Sequence, residues 1–186
     1  MAPGSMAAMD ALHLLIDYIR PRLGGRPLLL GLAGAQGSGK STLAAELAAQ
    51  LTASGLPTRA LSLDDGYLTA ARRRALAARV HPLLATRGPP GSHDLPLLHQ
   101  VLDRFRAGQP LQLPRFDKLA DDRLAPQHWP ATPPLACLIL EGWCVGARPQ
   151  PAAALATPVN ALEAWQDADA RWRTHINQAL AGAYQQ

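Results

Sequence analysis

The stretch "LLLGLAGAQGSGKS", residues 28–41, decides the fold. Its first six residues are an unbroken apolar run bounded by Pro27 and Gly34, the pattern of a strand covered on both faces. The next eight match G-x-x-x-x-G-K-[ST], and residues 40–53 read as a helix closed by Gly55 and Pro57. A strand that turns through glycines into a helix makes an anion site for two reasons. Glycines let consecutive backbone N–H groups curl inward, and the helix aims its positive dipole end at the same point. Lys40 adds a compact charge for β- and γ-phosphates, and Ser41 offers a hydroxyl to magnesium. Gly34, Ala35, Gln36, Gly37, Ser38, Gly39, Lys40, Ser41 and Thr42 are the expected nucleotide-binding residues, Thr42 serving equally as an ordinary first-turn residue. The bland alternative is a glycine-rich turn without a ligand, against which the flanking strand and helix argue.

Working outward, "TRALSL", residues 58–63, reads as a second strand, so residues 28–63 form a strand, helix, strand unit of the length a parallel crossover needs. A third strand is expected at "LACLIL", residues 135–140. The expected fold class is α/β, three-layered, with a parallel sheet and helices on both faces. Upstream, Leu12, Leu15, Ile16 and Ile19 stand at helical spacing within residues 9–19, and "RPRLGGRP" ends that helix. Residues 1–27 thus read as an N-terminal helix and linker, and residues 28–186 as the nucleotide- and acceptor-binding part of one domain spanning 1–186. Downstream come a helix at "TAARRRALAARV", whose Arg72 to Arg74 read as an exposed face, and the loop "HPLLATRGPPGSH". Asp94 is placed to cap a helix through about Ala107, residues 111–134 read as an irregular surface connection, and "ARPQPAAALATP" reads as a linker. Residues 160–184 read as broadly helical.

Composition narrows the function classes. The 186 residues carry a net charge of +4 from 18 basic and 14 acidic side chains, with 5% aromatics. That is too mild a bias for a nucleic-acid partner and suits a small phosphorylated one. No apolar run approaches the roughly 20 residues of a membrane span, and "MAPGSMAAMD" lacks the form of a signal peptide, so a cytoplasmic location is expected. Cys137 and Cys144 have neither a metal spacing nor a disulfide framework and read as packing residues. The 18 Lys+Arg residues include two lysines, Lys40 and Lys118, which marks both as departures from the chain's own habit.

A second stretch, "LSLDDGYL", residues 61–68, ends an apolar run in two adjacent carboxylates. Like charges side by side either sit in water or meet something positive. In an open parallel sheet the ligand lies at the carboxyl ends of the strands, where Asp64, Asp65 and Glu141 all fall. Convergence on one magnesium-phosphate supplies the positive charge. Asp64 is the expected base for an attacking hydroxyl and a magnesium partner, with Glu141 and Ser41 the other metal-side residues and Lys40 its catalytic companion. The alternatives are a solvated turn for Asp64 and Asp65 and a helix or turn cap for Glu141.

With those residues in place, the sequence resembles P-loop kinases of the group containing phosphoribulokinase, uridine kinase and bacterial pantothenate kinase, and within it D-glycerate 3-kinase above all. The resemblance rests on "GAQGSGKST", "LSLDDGYLT", "RGPPGSHD", "PRFDK", "LILEGWCVG" and "PVNALEAWQDADARWR" in that order, over about residues 28–173. It implies an ATP- and magnesium-dependent kinase acting on a hydroxyl of a small acid, D-glycerate first. Pantothenate or a nucleoside is the alternative acceptor, and a non-catalytic ATP-binding module the alternative of another class. It places Asp64 at the group's catalytic aspartate. The loop with Arg87, His93 and Asp94 falls where acceptor is held, Arg115 and Lys118 fall near it, and Asp65 and Tyr67 join that side. Cationic and hydroxyl partners of this kind suit a carboxylate. The family continues past "AGAYQQ" with further strand and helix units, an arginine-bearing lid and adenine-holding residues. The expected sheet is therefore incomplete on its C-terminal side, with the phosphate-loop strand at an open edge.

Overall fold

The computed structural model describes the backbone of residues 4–186 and the side chains of residues 12–186. In chain order the elements are α1 (Gly4–Ile19), β1 (Leu28–Ala33), α2 (Lys40–Ala53), β2 (Thr58–Ser62), α3 (Ala70–Arg79), α4 (Leu95–Arg106), β3 (Leu111–Gln112), β4 (Phe116–Asp117), β5 (Asp122–Arg123), β6 (Ala131–Thr132), β7 (Cys137–Gly142), α5 (Ala161–Gln166) and α6 (Arg171–Ala181). The strands β1, β7 and β2 pair in parallel, in that order, so β7 lies in the middle. β1 pairs with β7 alone and is an edge strand among the described residues, as the resemblance implies for the strand that feeds the phosphate loop.

Alternation along β7 explains its apolar run. Cys137 and Ile139 share one core cluster with Leu12, Ile16 and Ile19 of α1 and Leu47 and Leu51 of α2. Leu138 points to the opposite cluster, with Leu98, Leu102 and Phe105 of α4. Helices thus cover both faces, and each fully buried leucine side chain contributes roughly 1.5–3 kcal/mol of transfer free energy. Both cysteines are buried and free, and burial pushes each thiol up to about 11, which suits packing and not nucleophilic chemistry.

Four expectations need correction. The third strand begins at Cys137, not residue 135, and runs through Gly142, so Glu141 is a strand residue, opposite Leu32 of β1 and Ser62 of β2. β2 stops at Ser62 because Leu63–Gly66 coil into a 3-10 turn. Asp94 precedes α4 but makes no side-chain cap; its carboxylate accepts from Arg72 and Arg123. Residues 111–134 are more than a surface connection. β3 and β6 pair antiparallel, β4 and β5 form a second ladder, and Leu111, Leu113 and Phe116 are buried.

The final helical stretch divides into α5 and α6 because Asp167 turns its carboxylate onto the N–H groups of Trp172 and Arg173, capping the second helix. No helix among the described residues is long and apolar enough to cross a membrane.

Candidate active site

The turn between β1 and α2 depends on glycine. Gly37 and Gly39 sit at φ 75° and 82°, in the left-handed region, and a Cβ on Gly34 would lie 2.9 Å from Ser38 Oγ. The helix begins without a side-chain cap, so its first-turn N–H groups are left facing outward. Lys40 Nζ lies 3.5 Å from the carbonyl of Ala35, folded over the loop. Gly34, Ala35, Gln36, Gly37, Ser38 and Gly39 form the turn, and Lys40, Ser41 and Thr42 the first turn of α2.

Across the sheet end, Ser41 Oγ donates to Glu141 Oε1 at 3.0 Å. Glu141 is 4% exposed, and its Oε2 is buried with no partner. A buried carboxylate oxygen left unpaired is costly, so this pair of residues has the donor chemistry of half a divalent-cation site.

The adjacent aspartates part company. Asp64 Oδ1 accepts from the Tyr67 hydroxyl and Oδ2 from Lys118 Nζ, each at 2.9 Å. Asp65 turns to β4, where Oδ1 accepts from Phe116 N at 3.1 Å and Oδ2 from Arg115 Nη1 at 3.0 Å. Burial opposes ionisation at both. At Asp64 the Lys118 and Tyr67 hydrogen bonds outweigh burial and hold the carboxyl below its ordinary range, whereas at Asp65 burial outweighs Phe116 and Arg115 and the carboxyl is raised. The divergence needs Gly66, because a Cβ there would lie 2.6 Å from Leu98 and push α4 off the turn.

Gln36, Gly37, Lys40, Ser41, Asp64 and Glu141 line one cleft of about 300 Å³ at the carboxyl ends of the strands, together with Lys118, the ion-pair partner of Asp64. The loop of residues 87–94 is laced to the turn after β2: Leu68 N donates to Ser92 O at 2.9 Å and Asp94 N to Gly66 O at 2.7 Å. Its side chains find protein partners. Arg87 pairs with Asp121, and Asp94 with Arg72 and Arg123. His93 stacks on Tyr67 at 4.4 Å between centroids, and its Nδ1 meets the Tyr184 hydroxyl, which also accepts from Gly91 N. Burial pushes the His93 imidazole down to about 4, so the ring is neutral near pH 7. Arg87, His93, Asp94, Arg115, Asp65 and Tyr67 therefore frame the cleft without lining it.

Sequence reasoning passed over two residues. Trp143 lines the cleft and its Nε1 donates to Gly88 O at 3.2 Å, tying the end of β7 to the loop of residues 87–94. Its place just past the central strand was the available signal. Arg73 lies in a run read as exposed, yet it is 1% exposed and donates to the carbonyls of Leu68, Ala85 and Asp121 and to the Asp121 carboxylate. The leucine at helical spacing, Leu76, also buried, pointed to that face.

No protein-family model matches the sequence. The chain is 38% identical over 157 residues to an uncharacterized kinase, mug58, of Schizosaccharomyces pombe, covering 76% of this chain and 57% of that protein. It is 34% identical over 137 residues to the chloroplastic D-glycerate 3-kinase of Arabidopsis thaliana, covering 68% and 30%. Among solved structures, D-glycerate 3-kinase from Cryptococcus neoformans superposes with a TM-score of 0.71 at 28% identity, over 94% of this chain and 67% of that one. The chain thus spans between about a third and somewhat over half of the length of these curated relatives. Sequence, strand order and phosphate loop agree: the chain belongs to the P-loop kinases of the D-glycerate 3-kinase, pantothenate kinase and uridine kinase group.

Proposed function

We propose that the protein transfers the γ-phosphoryl group of ATP to a hydroxyl of a small acid, with D-glycerate the first candidate. The observation that carries this reading is the single cleft uniting Lys40 and Ser41, the half-satisfied Glu141 and the carboxylate of Asp64. Relatedness to the Arabidopsis D-glycerate 3-kinase supports the acceptor class.

On this reading the loop N–H groups and Lys40 orient the triphosphate and draw charge toward its terminal oxygens. Ser41 and Glu141 would hold magnesium, with Asp64 within the same cleft; the ion would neutralise charge developing on the phosphoryl oxygens. Asp64 accepts the proton of the attacking hydroxyl. Tyr67 fixes Asp64 by donating to Oδ1, and the neutral His93 ring supports Tyr67 from behind. Arg115 and Phe116 N hold Asp65 away from the cleft, so one carboxylate and not two faces the acceptor.

A coupled ADP-release assay with D-glycerate, pantothenate and uridine tests the reading, alongside calorimetry with magnesium-ATP. Acceptor-dependent release with D-glycerate is the expected result. Release with pantothenate or uridine alone would reassign the acceptor. Nucleotide binding without release in any arm would favour a non-catalytic module.

A further inference from the structure

The cations around the cleft are not equally free to meet a substrate. Arg115 is spent on Asp65, Arg87 and Arg73 on Asp121, and Arg72 and Arg123 on Asp94. The Asp65 and Asp94 side chains are 12% and 7% exposed, so withdrawing their arginines would strand charge in the interior. Among the described residues lining the cleft, the cations are Lys40, committed to the phosphate loop, and Lys118. Lys118 differs from Arg115 and Arg123 in its exposure, 62% with its partner Asp64 at 25%, and from Arg87 in lining the cleft, so it is the cation there placed to change partners, provided the incoming anion replaces the 2.9 Å pair. The backbone beside it is locked, because the Asp117 carboxylate accepts from Leu119 N and Ala120 N at 2.8 and 3.1 Å. The ammonium can swing on its four-carbon stem while its base stays fixed.

We propose that Lys118 is the receptor for the acceptor's carboxylate, and that it takes this role by exchanging Asp64 for the incoming anion. The inference rests on the kinase reading and deepens it. One free cation matches one anionic group, so the cleft selects mono-acids over neutral polyols of the same shape. Arrival of the acid also removes a donor from Asp64 Oδ2 and leaves that oxygen facing the acceptor's hydroxyl.

Calorimetry with D-glycerate and with glycerol, its neutral counterpart, in the presence of magnesium-ADP tests the exchange on four proteins: the parent, Lys118→Met, Asp64→Asn and the double variant. Asp64→Asn is expected to bind D-glycerate about fivefold tighter than the parent, since Lys118 no longer leaves an ionised partner. Lys118→Met is expected to bind D-glycerate no better than glycerol, and the gain from Asp64→Asn is expected to vanish in the double variant. A gain that persists undiminished without Lys118 would reflect general repulsion by Asp64 and would overturn the exchange. So would parent-like binding by Lys118→Met, or no D-glycerate binding by any of the four. The kinase reading is judged separately, by ADP release. Release with a small acid but no coupling between the two positions sinks the exchange alone, and coupling without release for any acceptor sinks the kinase reading alone.

Discussion

Glu141 Oε1 accepts a hydrogen bond from Ser41 Oγ at 3.0 Å, joining the middle strand to the phosphate-loop helix across 100 residues of chain. Its other oxygen is buried and unpartnered, a cost that a bound cation would offset. Glu141→Gln keeps the shape and removes the charge. Magnesium-dependent ATP binding should weaken by about tenfold or more, with metal-free binding little changed. Calorimetry with and without magnesium measures both; equal affinities would remove Glu141 from the metal site.

Lys40 sits at the start of α2, folded over the loop toward the Ala35 carbonyl. A compact ammonium fits among phosphate oxygens inside a ring of N–H groups, whereas a planar guanidinium is wider. Lys40→Arg should weaken magnesium-ATP binding and transfer despite keeping the charge, and Lys40→Ala should weaken them further. Lys118→Arg should be milder, since a carboxylate takes either cation. A Lys40→Arg variant matching the parent in binding and turnover would undo the phosphate-loop assignment.

The site's polar half was legible because its signals are local. Glycine spacing announced the loop, and strand ends announced Asp64, Asp65 and Glu141. Pairing was not legible, because it is decided by chain neighbours far away in sequence. Asp64 and Asp65 look equivalent on paper and diverge as Lys118, from the β4–β5 hairpin, and Tyr67 take Asp64 while Phe116 and Arg115 take Asp65. The Arg72 to Arg74 run looks uniform, yet helical geometry turns only Arg73 inward, onto Asp121, 48 residues on. The resemblance implies an open edge at the phosphate-loop strand, but no periodicity marks two-residue strands such as β3 and β6.

Arg73 binds three carbonyls and a carboxylate from inside the fold. Arg73→Met preserves much of the volume and strands those acceptors. Urea unfolding should report a loss of about 3 kcal/mol. A change within the roughly 0.5 kcal/mol typical of surface substitutions would mean the side chain is not buried in solution.

Burial pushes the His93 imidazole down to about 4, against an ordinary 6.5. Because the unfolded chain takes up the proton first, stability should be full above 6.5, fall as pH drops toward 4, and level off below. The loss attributable to this residue is about 3 kcal/mol at most. Unfolding of the parent and His93→Gln across that window should show a shallower pH slope in the variant; parallel slopes would contradict a neutral, buried imidazole.

On the proposed kinase reading, Asp64 is the base of a phosphoryl transfer to a small acid's hydroxyl. Acceptor-dependent ADP release by the parent and by Asp64→Asn, at matched nucleotide occupancy checked by calorimetry, tests it most directly. Release with D-glycerate is expected from the parent and a fall of about 10²- to 10⁴-fold in the variant, with magnesium-ATP still bound. Turnover by Asp64→Asn equal to that of the parent would contradict it.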